Sequence, residues 1–292
     1  MAQRALPERE ARLGRPRGAV DTAPHAVVLV LPGGGSAGGV RGGSALSAAA
    51  AVPLARRLAR VAHVAREAGG AGGVRGGSGR AGGRSAGGAG GGGGGSARKA
   101  AEACAAVTPL VTHVVHYGHH GWNGAAAQPA DDAEWAADEV VRRYGDVPVA
   151  LVGTGIGGQA ALRTGGHPAV AAVLALAPLL DTETEEPVRQ LLGRHVLLVH
   201  GTDDTRADPE LSFRFAERAK KVNADVCRFE VHSDGHGLRQ HAAEVGALAQ
   251  DFVRGTLCGH DFSRPVADAL AAPPPLGLRM PLATGFGATL GR

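Results

Sequence analysis

The sequence predicts an α/β fold: a doubly wound, mostly parallel sheet flanked by helices, with no cap domain. Two observations carry this. From Ala26 onward, short apolar runs alternate with stretches of helical period, the pattern of repeated βα units. The first of these runs, Ala26–Leu31, is also continuously apolar rather than alternately polar, as in a strand covered on both faces. A chain of 292 residues, 44% of them hydrophobic, has enough apolar surface for one such domain.

Taken in order, residues 1–24 are charged, proline-bearing and aperiodic and read as a mobile leader. Ala26–Leu31 (AVVLVL) is the first strand, bounded by Pro24 and Pro32, and it runs into Pro32-Gly33-Gly34-Gly35. A helix is expected from about Leu46 to Glu67, with Leu54, Leu58, Val61 and Ala65 on one face. Residues 69–97 are dominated by glycine and carry Arg75, Arg80 and Arg84. Such a segment buries too little apolar surface to offset its ordering entropy, so a disordered insert is expected. VRGGS occurs at Val40–Ser44 and again at Val74–Ser78, a local duplication and not a structural repeat.

Regular alternation resumes at Val111. Strands are expected at Val111–Tyr117, Val147–Val152, Val170–Ala175, His195–Val199 and Val226–Val231. Helices are expected at Asp131–Tyr144, Gly157–Arg163, Pro209–Val222 and Leu238–Arg254. Together they make one domain, 25–256, followed by a proline- and glycine-rich tail, 257–292, expected to be disordered or loosely packed.

Composition narrows the function classes. The three cysteines, Cys104, Cys227 and Cys258, are widely spaced and lack C-x-x-C pairing, which argues against a disulfide framework or a thiolate metal site. The first residues hold no apolar signal region, and no run approaches the roughly 20 apolar residues of a membrane span. A cytoplasmic protein without membrane contact is expected. Net charge is a mild +4. The RGG-like insert admits an RNA-binding reading, but no aromatics are interleaved to stack bases, so no nucleic acid is expected.

Four motifs carry the chemistry. The first is LPGGG, Leu31–Gly35, directly after a strand. The second is Val147–Leu162, VPVALVGTGIGGQAAL, an apolar strand, then Gly153-Thr154-Gly155-Ile156-Gly157-Gly158, then a helix of small residues. The third is HVLLVHGTDDTRAD, His195–Asp208, a strand running into an acidic loop. The fourth is Ser233-Asp234-Gly235-His236-Gly237, after the last strand.

With these motifs in this order the chain resembles the α/β-hydrolases, in particular small bacterial esterases and dienelactone-hydrolase-like proteins, from Ala26 to about Gly255. The resemblance implies a nucleophile elbow of pattern G-x-S-x-G, with Gly153 and Gly157 in place and Gly155 where the serine belongs. It implies an oxyanion hole from backbone N–H groups of Gly34 or Gly35 and of Ile156. It also implies Asp204 as the acid, with Asp203, Asp208 and Asp181 as alternatives, and His236 as the histidine that the acid orients. Thr154 is no substitute nucleophile, because its side chain leaves the strand before the turn's apex.

Competing readings are weaker. Gly153-x-Gly155-x-x-Gly158 formally spells the dinucleotide-binding G-x-G-x-x-G, but its strand lies mid-sheet and no acidic residue ends the next one. His113, His116, His119 and His120 invite a metal site, yet His113 and His116 face opposite sides of a strand. The loop His119–Gly124 is better read as a rim of the site, with Trp122 in it. No metal and no cofactor is expected.

A triad without its nucleophile forms no acyl-enzyme. The expected function is therefore that of an ester-hydrolase relative with impaired catalysis, binding a small ester-like molecule or a partner. The alternatives are a hydrolase, lyase or oxygenase-like enzyme using His236 and Asp204 as a base dyad, or simple decay of activity. The 177–195 stretch is too short for a helical lid, so an open site is expected. Nothing in the sequence specifies a substrate or an oligomeric state.

Overall fold

A computed structural model describes residues 10–34, 43–61, 108–118, 127–181 and 185–288. Gly35, Cys104, the glycine-rich insert 69–97 and the rim loop 119–124 lie outside the described residues. The strands are β1 (Arg12–Leu13), β2 (Arg17–Gly18), β3 (Ala26–Leu31), β4 (Leu110–His116), β5 (Val149–Thr154), β6 (Val170–Leu176), β7 (His195–Gly201), β8 (Val226–Val231) and β9 (Met280–Pro281). The helices are α1 (Gly43–Ala59), α2 (Gln128–Tyr144), α3 (Ile156–Thr164), α4 (Pro209–Val222), α5 (Ala242–Leu257) and α6 (Arg264–Ala271).

The sheet runs β1-β4-β3-β5-β6-β7-β8-β9 with β2 also on β4, and every pair from β4 through β9 is parallel. Strand order reverses between β3 and β5. In an open parallel sheet, the strand ends at such a switch form a crevice where ligands bind. The period-2 geometry of a strand divides the core into two layers. Val28 and Val30 join Leu58 of α1 and Leu248 and Phe252 of α5 on one face. Val27, Leu29 and Leu31 join Ala133 and Val140 of α2 and Ala160 of α3 on the other. A doubly wound sheet with helices on both faces is what the continuous apolar runs predict.

Most element ends shift by only a few residues, and one of the shifts has a clear cause. α1 is described over Gly43–Ala59, and the end expected near Glu67 lies outside the described residues. α5 starts at Ala242 rather than Leu238. The Asp234 carboxylate accepts hydrogen bonds from the Arg239 and His241 N–H groups (3.1 and 3.0 Å), and Leu238 is left-handed at φ 47°, so this stretch belongs to the preceding loop.

The described parts of the leader expected to be mobile, 10–24, and of the tail expected to be disordered or loosely packed, 257–288, carry regular structure. Within the leader, Arg12 and Leu13 pair with His116 and Val115, and Arg17 and Gly18 with Thr112 and Val111, all antiparallel. The turn between them is pinned where Gly14 N–H donates to Val114 O at 2.8 Å and His113 Nδ1–H donates to Gly14 O at 2.8 Å. Two-residue strands are too short to show an apolar period, so the sequence reading passes over them. In the tail, Val266 and Ala269 of α6 are fully buried, and Met280 and Pro281 pair with Phe229 and Glu230 of β8. The buried Arg228 guanidinium donates to Leu278 O at 3.0 Å and to Glu230 Oε1 at 2.7 Å, fixing the tail to the sheet.

Candidate active site

The site is built at the carboxyl ends of β3, β5 and β7 and in the loop after β8. β5 ends at Thr154 and α3 begins at Ile156, so Gly155 makes the whole reversal alone at φ 53°, ψ −117°. An L side chain there is strained, and glycine relieves that strain. The turn is held by Gly155 N–H donating to Leu176 O at 2.9 Å, and Gly155 O accepts from Gln159 and Leu179 N–H at 3.1 Å each. On either side, Gly153 and Gly157 are required by packing. A Cβ on Gly153 would lie 2.0 Å from Gly157 O, and one on Gly157 would lie 2.2 Å from Leu31 O.

Opposite the turn stands His236. A Cβ on Gly155 would lie 3.2 Å from its Nε2 and 3.9 Å from the Cα of Gly33. The histidine and the Leu31–Gly34 loop therefore converge on the glycine at the apex of the elbow. A Cβ on Gly34 would touch Ile156 Cδ1 at 3.6 Å, so Gly34 and the first residue of α3 are neighbours, as a shared anion-binding role for their N–H groups needs.

Behind His236 lies Asp204. His236 Nδ1–H donates to Asp204 Oδ2 at 2.8 Å, leaving Nε2 turned toward Gly155. The other carboxylate oxygen accepts from Arg206 and Ala207 N–H at 2.8 and 3.0 Å. Burial pushes the Asp204 carboxyl up, but these N–H groups and His236 outweigh it and hold it below the usual carboxylate range. The three alternative acids sit elsewhere. Asp208 caps α4, accepting from Glu210 N–H at 2.9 Å; Asp203 is exposed and accepts from the Thr202 hydroxyl; Asp181 is exposed beyond β6.

The acid and histidine loops are tied to each other. Asp203 N–H donates to Asp234 O at 3.0 Å, and Ser233 N–H donates to Thr202 Oγ1 at 3.1 Å. Asp234, buried, gathers the loop after His236 through Gly235, Arg239 and His241 N–H groups. Between β6 and β7, a single 3-10 turn, Arg189–Leu191, is the regular structure among the described residues, so no helical lid is inserted there. His236 keeps 19% side-chain exposure and is reachable from solvent.

No protein-family model matches the sequence, and no curated protein matches it. Among solved structures, an esterase from Pyrococcus furiosus superposes with a TM-score of 0.54 over 85% of this chain and 93% of its own, at 12% identity. An α/β serine hydrolase without a lid from Xanthomonas campestris gives 0.51 over 85% and 95%, at 14% identity. The chain has the α/β-hydrolase fold. An acetyl ester-xyloside bifunctional hydrolase from Caldicellulosiruptor lactoaceticus shares this α/β-hydrolase fold, with a TM-score of 0.51 over 82% and 86% at 15% identity.

Two residues of this site escaped the sequence reading. One is Asp234, two positions before His236 in a motif already singled out. The other is His200, fully buried at the end of β7. Its Nε2–H faces Asp204 Oδ2 and Ala207 O, both at 3.1 Å, and its Nδ1 lies 2.9 Å from Ser212 Oγ, which accepts from Arg228 Nε–H at 3.0 Å. The only signal was its spacing four residues before Asp204 in HGTDD. The remaining strand histidines are structural or peripheral. Besides its bond to Gly14, His113 Nε2 lies 2.8 Å from the Tyr144 hydroxyl. No group of three metal-ligating side chains occurs among the described residues, and none of their helices is long and apolar enough to cross a membrane.

His200 gives the domain an acid-sensitive joint. Burial first, and the Arg228 charge second, lower its pKa from 6.5 to about 4. The unfolded chain then binds the proton that the folded chain refuses, so stability is full above pH 6.5 and falls as pH drops toward 4. Over the whole window the loss is about 3 kcal/mol, of which about 2 kcal/mol should appear between pH 7 and pH 5. Urea unfolding at the two pH values checks it, and His200→Gln should flatten the dependence. An unchanged pH slope in that variant would show that His200 binds its proton equally well in the folded and unfolded chains. His113, also buried and also lowered, adds to the slope in the same direction.

Proposed function

We propose that this protein is a carboxylic-ester hydrolase by descent whose covalent route is closed at Gly155, and that it retains a pocket for a small ester-like ligand. The observation that carries the reading is the place of His236 Nε2, 3.2 Å from where a Gly155 Cβ would stand. A base held by a buried acid and aimed at a missing hydroxyl is what loss of a single serine leaves behind. The esterase and serine-hydrolase names of the structural neighbours support the ancestry. No acyl-enzyme forms on glycine, so burst kinetics are absent and ester turnover is slow.

A second reading is favoured by the hydrogen-bonded pair itself. Asp204 orients His236 and stabilises its imidazolium, which suits Nε2 to take a proton from water or from a ligand. The water then attacks the ester carbonyl directly; the His236 imidazolium gives its proton to the leaving alkoxide, which regenerates the base, and the second water proton leaves on the carboxylic acid. General-base assistance contributes about 10²–10⁴-fold, so His236→Ala should lower residual turnover of p-nitrophenyl acetate by at least about 10²-fold. The measurement is steady-state release of p-nitrophenol by both proteins. Equal rates would remove the dyad and leave a binding protein or a decayed enzyme. Co-purified or titrated small esters that bind the folded protein without turnover would favour the former.

A further inference from the structure

A concave site lies at the β4 side of the sheet, and its lining includes none of Gly155, Asp204 or His236. It is a cleft of about 720 Å³ between the β1–β2 turn and α1. Arg12, Arg15 and Arg17 line it from the turn, and Glu10 is the one carboxylate among its described lining residues. The opposite wall is apolar: Ala48, Ala49 and Val52 of α1, continued by Val114 of β4. His116 and Tyr117 close its end, and the Tyr117 hydroxyl donates to Pro32 O at 3.2 Å, so the cleft abuts the LPGGG loop.

The arginines are set there by backbone pairing. Arg12 stands opposite His116 and Arg17 opposite Thr112, and the Gly14 anchor to β4 and His113 fixes the turn between them. Several guanidiniums elsewhere meet carboxylates: Arg142 and Arg143 on Glu139, Arg163 on Glu186, Arg228 and Arg279 on Glu230. In the cleft, by contrast, Arg12, Arg15 and Arg17 make no ion pair with a described carboxylate, and Arg17 donates to the Arg15 carbonyl. Their effect reaches His116, whose pKa is lowered by burial and by the charges of Arg12 and Arg17. Three like charges converging on one cleft repel each other. Guanidinium forks match the oxygens of carboxylates and phosphates bidentately. The α1 wall offers nothing to such an oxyanion but suits an alkyl or aryl body.

We infer that this cleft binds a small amphipathic anion, its phosphate or carboxylate on Arg12, Arg15 and Arg17 and its apolar body along Ala48, Ala49 and Val52. The inference is independent of any chemistry at Gly155.

The test is calorimetric titration of the full chain with hexyl phosphate, hexanoate, inorganic phosphate and hexanol, the first two distinguishing the headgroups. At least one of the hexyl anions should bind, and bind more tightly than inorganic phosphate, while hexanol should not register. Arg15→Gln and Arg12→Gln, both at exposed positions, should each weaken that binding by about 10-fold or more, with circular dichroism unchanged. Val52→Ser should narrow the margin of the hexyl anion over inorganic phosphate. No binding of either hexyl anion to the native chain would overturn the proposal, and so would affinity unchanged in folded Arg12→Gln and Arg15→Gln. A native chain that binds inorganic phosphate as tightly as both hexyl anions would overturn the assigned role of the α1 wall.

Discussion

Gly155→Ser is expected to give this protein esterase activity, raising kcat/KM for p-nitrophenyl acetate by on the order of 10³-fold or more over the native chain. The reason is geometric. The substitution adds a Cβ 3.2 Å from His236 Nε2 and, one bond further out, a hydroxyl whose proton that nitrogen is placed to take. Asp204 already holds Nδ1 at 2.8 Å, and the Gly34 and Ile156 region already stands beside the turn. The spacing is slightly tight, and His236 lies on a partly exposed loop where its ring can move by a few tenths of an ångström. A non-glycine residue at φ 53° is strained, which costs about 1–3 kcal/mol. The variant should therefore unfold at lower urea while turning over faster. Burst release of p-nitrophenol should appear, and Gly155→Ser/His236→Ala should abolish it. A folded Gly155→Ser protein with no turnover above native would mean that oxyanion hole, base and acid are not jointly competent, and that the loss at the elbow is not the only one.

How much of this was legible in the sequence depended on how local each signal was. β3, β5 and β6 announce themselves as nearly unbroken apolar runs because both of their faces are covered, while β4 and β8 carry polar residues such as His113 and Arg228 within otherwise apolar stretches. The elbow could be read because its glycines serve contacts within a few residues, Gly153 against Gly157 and Gly157 against Leu31. Asp204 and His236 lie 32 residues apart, and their 2.8 Å bond could be anticipated only from their places after successive strands. His200 was not legible. A histidine in an apolar strand has the same appearance whether it packs inertly or supports the acid, and its partners Ser212 and Arg228 are brought to it by tertiary structure alone. The short strands β1, β2 and β9 failed for a related reason. Two residues show no period, and their register is dictated by backbone groups of β4 and β8 rather than by their own side chains. The cleft arginines read as aperiodic leader until pairing with β4 aligned them.

Gly157→Ala and Gly153→Ala should be far more damaging than Gly155→Ala, although each adds the same methyl group. At Gly157 the added carbon would fall 2.2 Å from Leu31 O and 2.6 Å from Pro32 O. Both atoms are backbone at the end of β3, a strand locked between β4 and β5 in register from Val27 to Val30 and to Leu31 respectively. Neither neighbour is the flexible end of a side chain, so relief requires α3 to lift off the sheet. That would strip contacts from Ile156, Ala160 and Ala161, all of them buried. At Gly153 the obstacle is Gly157 O at 2.0 Å, the first turn of α3 itself. Overpacking in a relaxed core costs about 1–3 kcal/mol. Here the clash is with fixed main chain on both sides, and a loss above about 4 kcal/mol is expected, enough to leave a typical domain largely unfolded. Gly155→Ala meets only the His236 ring and its own backbone strain, for about 1–3 kcal/mol. Urea midpoints for the three variants measure the ordering directly. Comparable losses at all three positions would mean that α3 does not pack as closely on β3 as the Gly157 contact requires, and the elbow would then be too loose to present a serine to His236.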